Sequence, residues 1–490
     1  MKSFRSYLDD LNFIEQLTII YLALPVAIFY ISWLQPIYGI VCSLLLVLLI
    51  FPRFNKKMSV GFGNHTHIVL IIIIILAVIW CTLGGAGHLF YANEDWHVRD
   101  AVLRDLVISQ WPVNYSTSNE DLFLLRAPLG YYLVPAIMAK MIGLGYADKL
   151  LLGWTITGVA LFFFLITSSW KKPWHIFTVI AVFISFSGMD IIDIVGRYVT
   201  HQTISPTDHL EWWAVYFQYS SMTTILYWVP NHGLPGWLIS ALMVRHWQNP
   251  RFLPLALILT SFLPLWSPLT AIGTLLIFLI LFLYHSRHGC WKTLFIPEVL
   301  IACVIAIPIA LYITINSNDV PSSWFFSLSD SLANLIRGYA LFIVIELAII
   351  PFIIFGEIRF KSGYVWLTTI TSFFLFLIPL YRFGVANDFV MRVSIPLLAI
   401  IALRTAAILI AAIEYQAFKF AFSIMTILIL GSVTPISETL RSLYLTPWET
   451  DLTKNLLIVT DMKAPHYYTW VRSDKLPMML KRPSLKHNDL

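Results

Sequence analysis

Three stretches of this sequence consist almost entirely of apolar side chains: Ile71 to Ile79, Cys42 to Phe51 and Thr270 to Leu283. Each sits in a window long enough to cross a hydrocarbon layer of roughly 30 Å, which takes about 20 helical residues. A backbone at that depth must satisfy its own hydrogen bonds, so only helices or closed barrels survive there. Continuous apolar runs of this length select helices. The pattern is not local: of 490 residues, 58% are hydrophobic and 12% charged. That charge is about half the usual share of a soluble chain, and no soluble fold has the interior to hide so much apolar surface.

Candidate spans fall at 13-34, 36-51, 68-90, 149-168, 175-195, 233-247, 253-267, 268-285, 293-314, 338-355, 363-381, 391-411 and 417-434. The chain is therefore read as an all-α polytopic membrane protein of about 13 transmembrane helices, an odd number that puts the two ends on opposite sides. A cytoplasmic amino terminus places Arg53, Lys56, Lys57, Lys171, Lys172, Arg245, Arg251, Arg359 and Lys361 on the inner side, as the positive-inside rule requires. The segment 127-147 contains Pro128, Gly130 and Pro135 and is expected as an interfacial or re-entrant helix. No small-residue cleavage site follows the first apolar stretch, so the first helix is expected to stay as an anchor.

This topology leaves outer loops at 91-148 and 196-232. The expected division is a membrane domain over 1-434 and a small outward tail over 435-490, in which 456-460 reads as a strand. The net charge of +5 is scattered in pairs between apolar segments, which argues against a nucleic-acid partner. Cys42, Cys81, Cys290 and Cys303 show no metal-ligand spacing, so neither a disulfide nor a cysteine metal site is expected.

Chemistry-bearing residues cluster on the outer side. Glu94-Asp95-Trp96-His97 follows the third span and opens an amphipathic helix, with Val98, Val102 and Leu106 on one face and Arg99, Asp100, Arg104 and Asp105 on the other. Such a helix is expected to lie along the interface. A carboxylate there suits a general base; the alternative is a helix start capped by Asn93 with acids in its first turn. Asn231 and His232 stand in a proline- and glycine-broken stretch, a backbone tolerated at membrane depth mainly where it lines a cavity. A Trp-rich interfacial belt is the other reading.

Arg382, Asp388 and Arg392 lie together in the segment Tyr381 to Arg392, and Arg126 precedes Pro128. Arginines on a side otherwise poor in them suggest an anion, since guanidinium matches phosphate geometry. An Asp388–Arg392 pair across one helical turn is the alternative. Asp190, Asp193 and Glu346 are candidate buried acids, the first two expected to reach the interface. His201 and His209 show no ligand spacing, and no metal site is assigned.

The order of an acid pair with histidine, an amphipathic helix, and then Pro128-Leu129-Gly130-Tyr131-Tyr132 resembles the GT-C superfamily of polyprenyl-phosphate-sugar-dependent glycosyltransferases. Glu94-Asp95-Trp96-His97 is similar to the first-loop motif of protein O-mannosyltransferases and of the bacterial lipid A aminoarabinose transferase. The resemblance covers roughly the first 170 residues. The family's usual order is Asp before Glu, whereas Glu94 precedes Asp95 here, which leaves open which of them is the base. The second loop and the Arg382 to Arg392 segment match nothing residue by residue.

The resemblance implies an inverting sugar transfer, on the outer face of a bacterial inner membrane, from a polyprenyl-phosphate donor to lipid A, O-antigen or another surface glycan, or protein. For such a reaction the expected base is Asp95 or Glu94, with His97 as orienter, and Arg126, Tyr131, Tyr132, Asn231, His232, Arg382, Asp388 and Arg392 are the candidates about the donor. It requires no nucleotide, agreeing with the absence of a dinucleotide-binding motif, and leaves a divalent cation open. Competing readings are a polysaccharide polymerase or ligase and, further off, a transporter of lipid-linked glycans, for which no repeated half is visible.

Overall fold

The computed structural model describes residues 7–8, 10–50, 67–116, 120–203, 205, 208–286, 292, 294–317, 320–327, 331–384, 387–463 and 466–483. Phe51, Arg53, Lys56, Lys57, Cys290, Val385 and Ala386 lie outside them. The chain is mostly helical, 71%, with little sheet. Six helices are long and apolar enough to cross a membrane: Phe13–Trp33, Leu144–Thr167, Pro268–Ser286, Pro297–Thr314, Ile395–Glu414 and Phe418–Tyr444. A seventh results if Leu332–Glu346 and Ile350–Arg359, bent by 47°, form one broken span. Apolar helices of 10–17 residues add Pro36–Ile50, His67–Leu83, Leu133–Ile142, Pro173–Ser185, Pro250–Leu265 and Val365–Leu380.

Burial sorts these helices into a centre and a rim. The apolar window of Ile395–Glu414 is 89% buried, against 28% for Phe418–Tyr444. Helix Pro230–Arg245 is buried continuously from Pro230 to Met243. Rim helices expose whole apolar faces, such as Ile37, Ile40, Leu44 and Leu48 on one and Phe422 and Ile429 on another. In water such faces would cost about 25 cal/mol per Å²; in lipid they cost nothing. At the centre, a Cβ on Gly273 would lie 2.1 Å from the Val393 carbonyl oxygen. Glycine alone lets helix Pro268–Ser286 approach the turn Asp388–Val393, which fixes Arg392 against the bundle.

The end of the helical bundle that carries the first loop and the tail is assembled from distant pieces. Strand Asp121–Leu125 of the first loop pairs antiparallel with Tyr468–Arg472 of the tail, Asp121 opposite Arg472. Strand Ser322–Trp324 pairs with Tyr381–Phe383. The helix Val433–Tyr444 runs across the boundary expected at 434, and the polar tail begins after it. The tail lies on the first loop: the Trp448 indole donates to the Ala92 carbonyl at 2.8 Å and the Leu456 amide to Asp105 Oδ2 at 3.0 Å.

Three expectations are corrected. Residues Leu456–Val459 form a helical turn, not a strand, because Asn455 caps it by accepting from the Ile458 amide at 3.0 Å. Asp190 does not reach the surface: it is buried and accepts from Trp213 Nε1 at 3.0 Å and Thr434 Oγ1 at 2.7 Å. Helix Asp95–Ile108 does not offer its polar face to water; Arg99, Asp100 and Asp105 are buried, because the tail covers Asp105 and the His88 turn lies against Asp100.

Candidate functional site

A cavity of about 640 Å³ is walled by four parts of the chain. Helix Asp95–Ile108 contributes Asp95, Val98 and Arg99; the second outer loop contributes His209, Trp212, Tyr216 and Gln218. The segment before helix Ile395–Glu414 contributes Arg382, Asn387, Asp388 and Arg392, and the tail contributes Thr460, His466 and Tyr467. Three arginines thus face two carboxylates, a balance that favours an anionic guest.

The first wall is set by helix geometry. Asp95 and Arg99 are four apart, so they share a face, and Arg99 Nη2 lies 3.1 Å from Asp95 Oδ2 while Nη1 donates to the Asp95 carbonyl at 2.7 Å. The Arg99 side chain is only 3% exposed, whereas that of Asp95 is 45% exposed. A buried cation therefore holds a carboxylate that stays open to the cavity.

The second wall follows the same spacing. Arg392 Nη2 is 2.7 Å from Asp388 Oδ1, so the helical pair is present and lines the cavity as well. Its register is set by Asn387 at φ 57°, whose side-chain amide donates to the Tyr216 carbonyl at 2.6 Å. Gly384, at φ 90°, leaves room that a Cβ would take from Asp388 Oδ2.

Behind the second loop sits a buried polar network. His209 Nδ1 is 2.8 Å from Glu438 Oε1 and Nε2 is 3.4 Å from Glu211 Oε2. Burial on its own would lower the imidazole pKa, but hydrogen bonds to Glu211 and Glu438 and their charges outweigh it, and the group is pushed up to about 10. His209 is thus an imidazolium at neutral pH. Gln218 Nε2 donates to Glu211 Oε2 at 2.7 Å and the Trp228 indole to Glu438 Oε2 at 2.8 Å. In the tail, His466 is held below the usual histidine range, first by burial and then by Arg392 and Arg126, against Asp388 and Asp95. It faces the cavity as a neutral imidazole.

Of the residues singled out from the sequence, Asp95, Arg382, Asp388 and Arg392 meet at this cavity. Glu94 is exposed and outside its lining. His97 stands two residues from Asp95 on a helix, so the two cannot share a face; its ring stacks on Trp448 at 4.1 Å, which removes it as an orienter of Asp95. Arg126 is buried and donates to the Ile315 carbonyl, while its amide donates to the Tyr467 carbonyl at 2.8 Å. Tyr131 is buried against Thr155 Oγ1 at 2.6 Å, and Tyr132 is also buried.

Asn231 and His232 are buried beneath the site, His232 Nδ1 lying 2.6 Å from Ser267 Oγ. They do not line it but connect to it: Thr270 Oγ1 lies 3.4 Å from both the His232 and the Arg392 carbonyl oxygens. The sequence reading missed Arg99, His209, Asn387 and His466 as cavity residues. Only Arg99 had a local signal, its four-residue offset from Asp95.

No family model, curated protein or solved structure matches this chain.

Proposed function

We propose that this protein is a membrane glycosyltransferase that moves a sugar, with inversion, from a polyprenyl-phosphate donor to an acceptor on the outer side of a bacterial inner membrane. What supports the reading is one observation: a half-exposed carboxylate, Asp95, shares a cavity with Arg99, Arg382 and Arg392. Asp95 accepts the proton of the acceptor hydroxyl as that oxygen bonds to the anomeric carbon. The bond from that carbon to the phosphate oxygen breaks on the opposite face, and the electron pair leaves with the phosphate. Arginines 382 and 392 meet the charge developing there, while Arg99 holds Asp95 in place. Trp212, Tyr216 and Trp228 supply aromatic faces for the sugar.

The same reading takes six further apolar helices, Pro36–Ile50, His67–Leu83, Pro173–Ser185, Pro230–Arg245, Pro250–Leu265 and Val365–Leu380, as spans beside the seven, for thirteen. The amino terminus is then cytoplasmic, with the cavity and tail outside. The acceptor is lipid A, O-antigen, another surface glycan or protein.

The test is mass spectrometry of lipid A and surface polysaccharide from cells with the intact gene, without it, and with Asp95→Asn. Loss of one sugar mass in both altered strains supports the transferase and identifies the acceptor. A change of chain length on deletion replaces it with a polymerase or ligase, and an unchanged profile in the deletion strain removes it.

A further inference from the structure

A second cluster lies on the other face of helix Asp95–Ile108. The loop after helix His67–Leu83 turns through Gly85 and Gly87, at φ 87° and 86°, and then His88 itself adopts φ 53°. A left-handed histidine costs on the order of 1 kcal/mol and persists where its surroundings demand it. The turn brings the His88 ring against Asp100 of the helix and Asp148 at the head of helix Ala147–Thr167. One ligand-capable atom from each of the three lies within 4.8 Å of the others.

Two features separate this cluster from an ordinary ion pair. The Asp100 side chain is 4% exposed, yet among the described residues its carboxylate has no donor other than the His88 ring. His88 Nε2 stands 3.0 Å from Asp100 Oδ2, and the buried Oδ1 is left without a partner. Two donors each about 2.1 Å from a common ion would stand about 3.0 Å apart at the right angle of an octahedral ion and about 3.4 Å apart at the tetrahedral angle of zinc. A dry carboxylate oxygen left without a donor is costly, and a cation between the three groups removes that cost.

We propose that His88, Asp100 and Asp148 bind one divalent transition-metal cation, of the kind that accepts mixed imidazole and carboxylate ligands, such as Zn²⁺ or Mn²⁺. The surroundings supply the outer support such sites use. Thr450 Oγ1 donates to Asp148 Oδ2 at 2.8 Å, and the Trp448 ring closes over His88 edge-on at 4.5 Å. The cation ties the loop, the helix that carries Asp95 and the head of the next span into one unit under the tail. This site stands apart from the cavity and holds whether or not the transferase reading does.

The test uses the full chain without an affinity tag, purified in detergent, stripped with a chelator and re-equilibrated with Zn²⁺ or Mn²⁺, with bound metal counted by mass spectrometry. The intact chain should retain about one equivalent of at least one ion, and His88→Gln and Asp148→Asn should bind it about tenfold or more weakly. Retention of neither ion by the intact chain, or equal retention by folded variants, overturns the proposal. Because a variant can fail to fold, X-ray absorption of the metal-loaded intact chain gives an independent reading. Imidazole and oxygen scatterers at about 2.0–2.2 Å are expected, and a shell with sulfur or without imidazole overturns it.

Discussion

Glu357 and Asp95 are both carboxylates held by an arginine, and they are finished differently. Glu357 is fully buried and takes two bonds from Arg404, Nε to Oε1 at 2.7 Å and Nη2 to Oε2 at 3.1 Å. Thr368 and Ser362 also donate to it, and the Tyr364 ring lies 3.8 Å from the guanidinium carbon. Asp95 has one guanidinium nitrogen at 3.1 Å and a half-exposed side chain. In a low-dielectric interior a charge must be matched completely or it destabilises the fold. At a cavity wall, incomplete matching leaves a carboxylate oxygen able to take a proton. The closed pair holds helices together; the open one is available for chemistry.

The largest expected effect separates the two. Glu357→Ala strands Arg404 in the bundle and is expected to cost about 3–5 kcal/mol, read as a large drop in thermal midpoint or as loss of folded protein in detergent. Replacing both partners, Glu357→Met with Arg404→Met, is expected to recover most of that loss, since no charge is then left buried. A double variant as unstable as the single one would show that the pair contributes more than charge matching.

Asp95→Asn is expected to do the reverse. Its thermal midpoint should stay near that of the parent, while, on the proposed transferase reading, transfer falls about 10²–10⁴-fold, the usual contribution of a general base. Retained activity would move the base to Glu94, which lies outside the cavity lining, or to His466, which lines it as a neutral imidazole. A matching loss of stability would make the pair structural and dissolve the contrast with Glu357.

Next in size is Arg392→Ala. If Arg392 meets the donor phosphate, its removal should raise KM for the lipid-linked sugar about tenfold, or ~1.4 kcal/mol, with a smaller change in kcat. A fall confined to kcat would place it at the departing oxygen only. Because Arg392 also pairs with Asp388, the Asp388→Asn variant is the control that separates the pair from the phosphate contact.

Helical spacing explains what was readable in advance. Asp95 with Arg99 and Asp388 with Arg392 are local offsets, and apolar runs such as Thr270 to Leu283 announce membrane helices from composition. His209 with Glu438 is 229 residues apart, and Asp121–Leu125 finds its strand partner in the tail; neither meeting has a periodic signature. Leu456 to Val459 misled because a short apolar run suits a strand or a helical turn equally, and Asn455 decided between them. The polar face of helix Asp95–Ile108 gave no sign of burial because the cover over Asp105 comes from the far end of the chain.

A pH dependence extends the comparison to a third charged cluster. His209 is a buried cation held by Glu211 and Glu438, with Arg441 beside Glu438 at 2.9 Å. Its folded-state pKa of about 10 lies above the unfolded value of about 6.5, so the folded chain holds a proton that the unfolded chain releases. The stabilisation is complete below pH 6.5 and lost as pH rises toward about 10. The thermal midpoint in detergent should therefore decline across that window, and His209→Gln should flatten the decline while lowering the midpoint at pH 6. Equal slopes in the two proteins would mean that His209 is not charged. Glu211 and Glu438 would then be two buried carboxylates with Arg441, 2.9 Å from Glu438, to balance them.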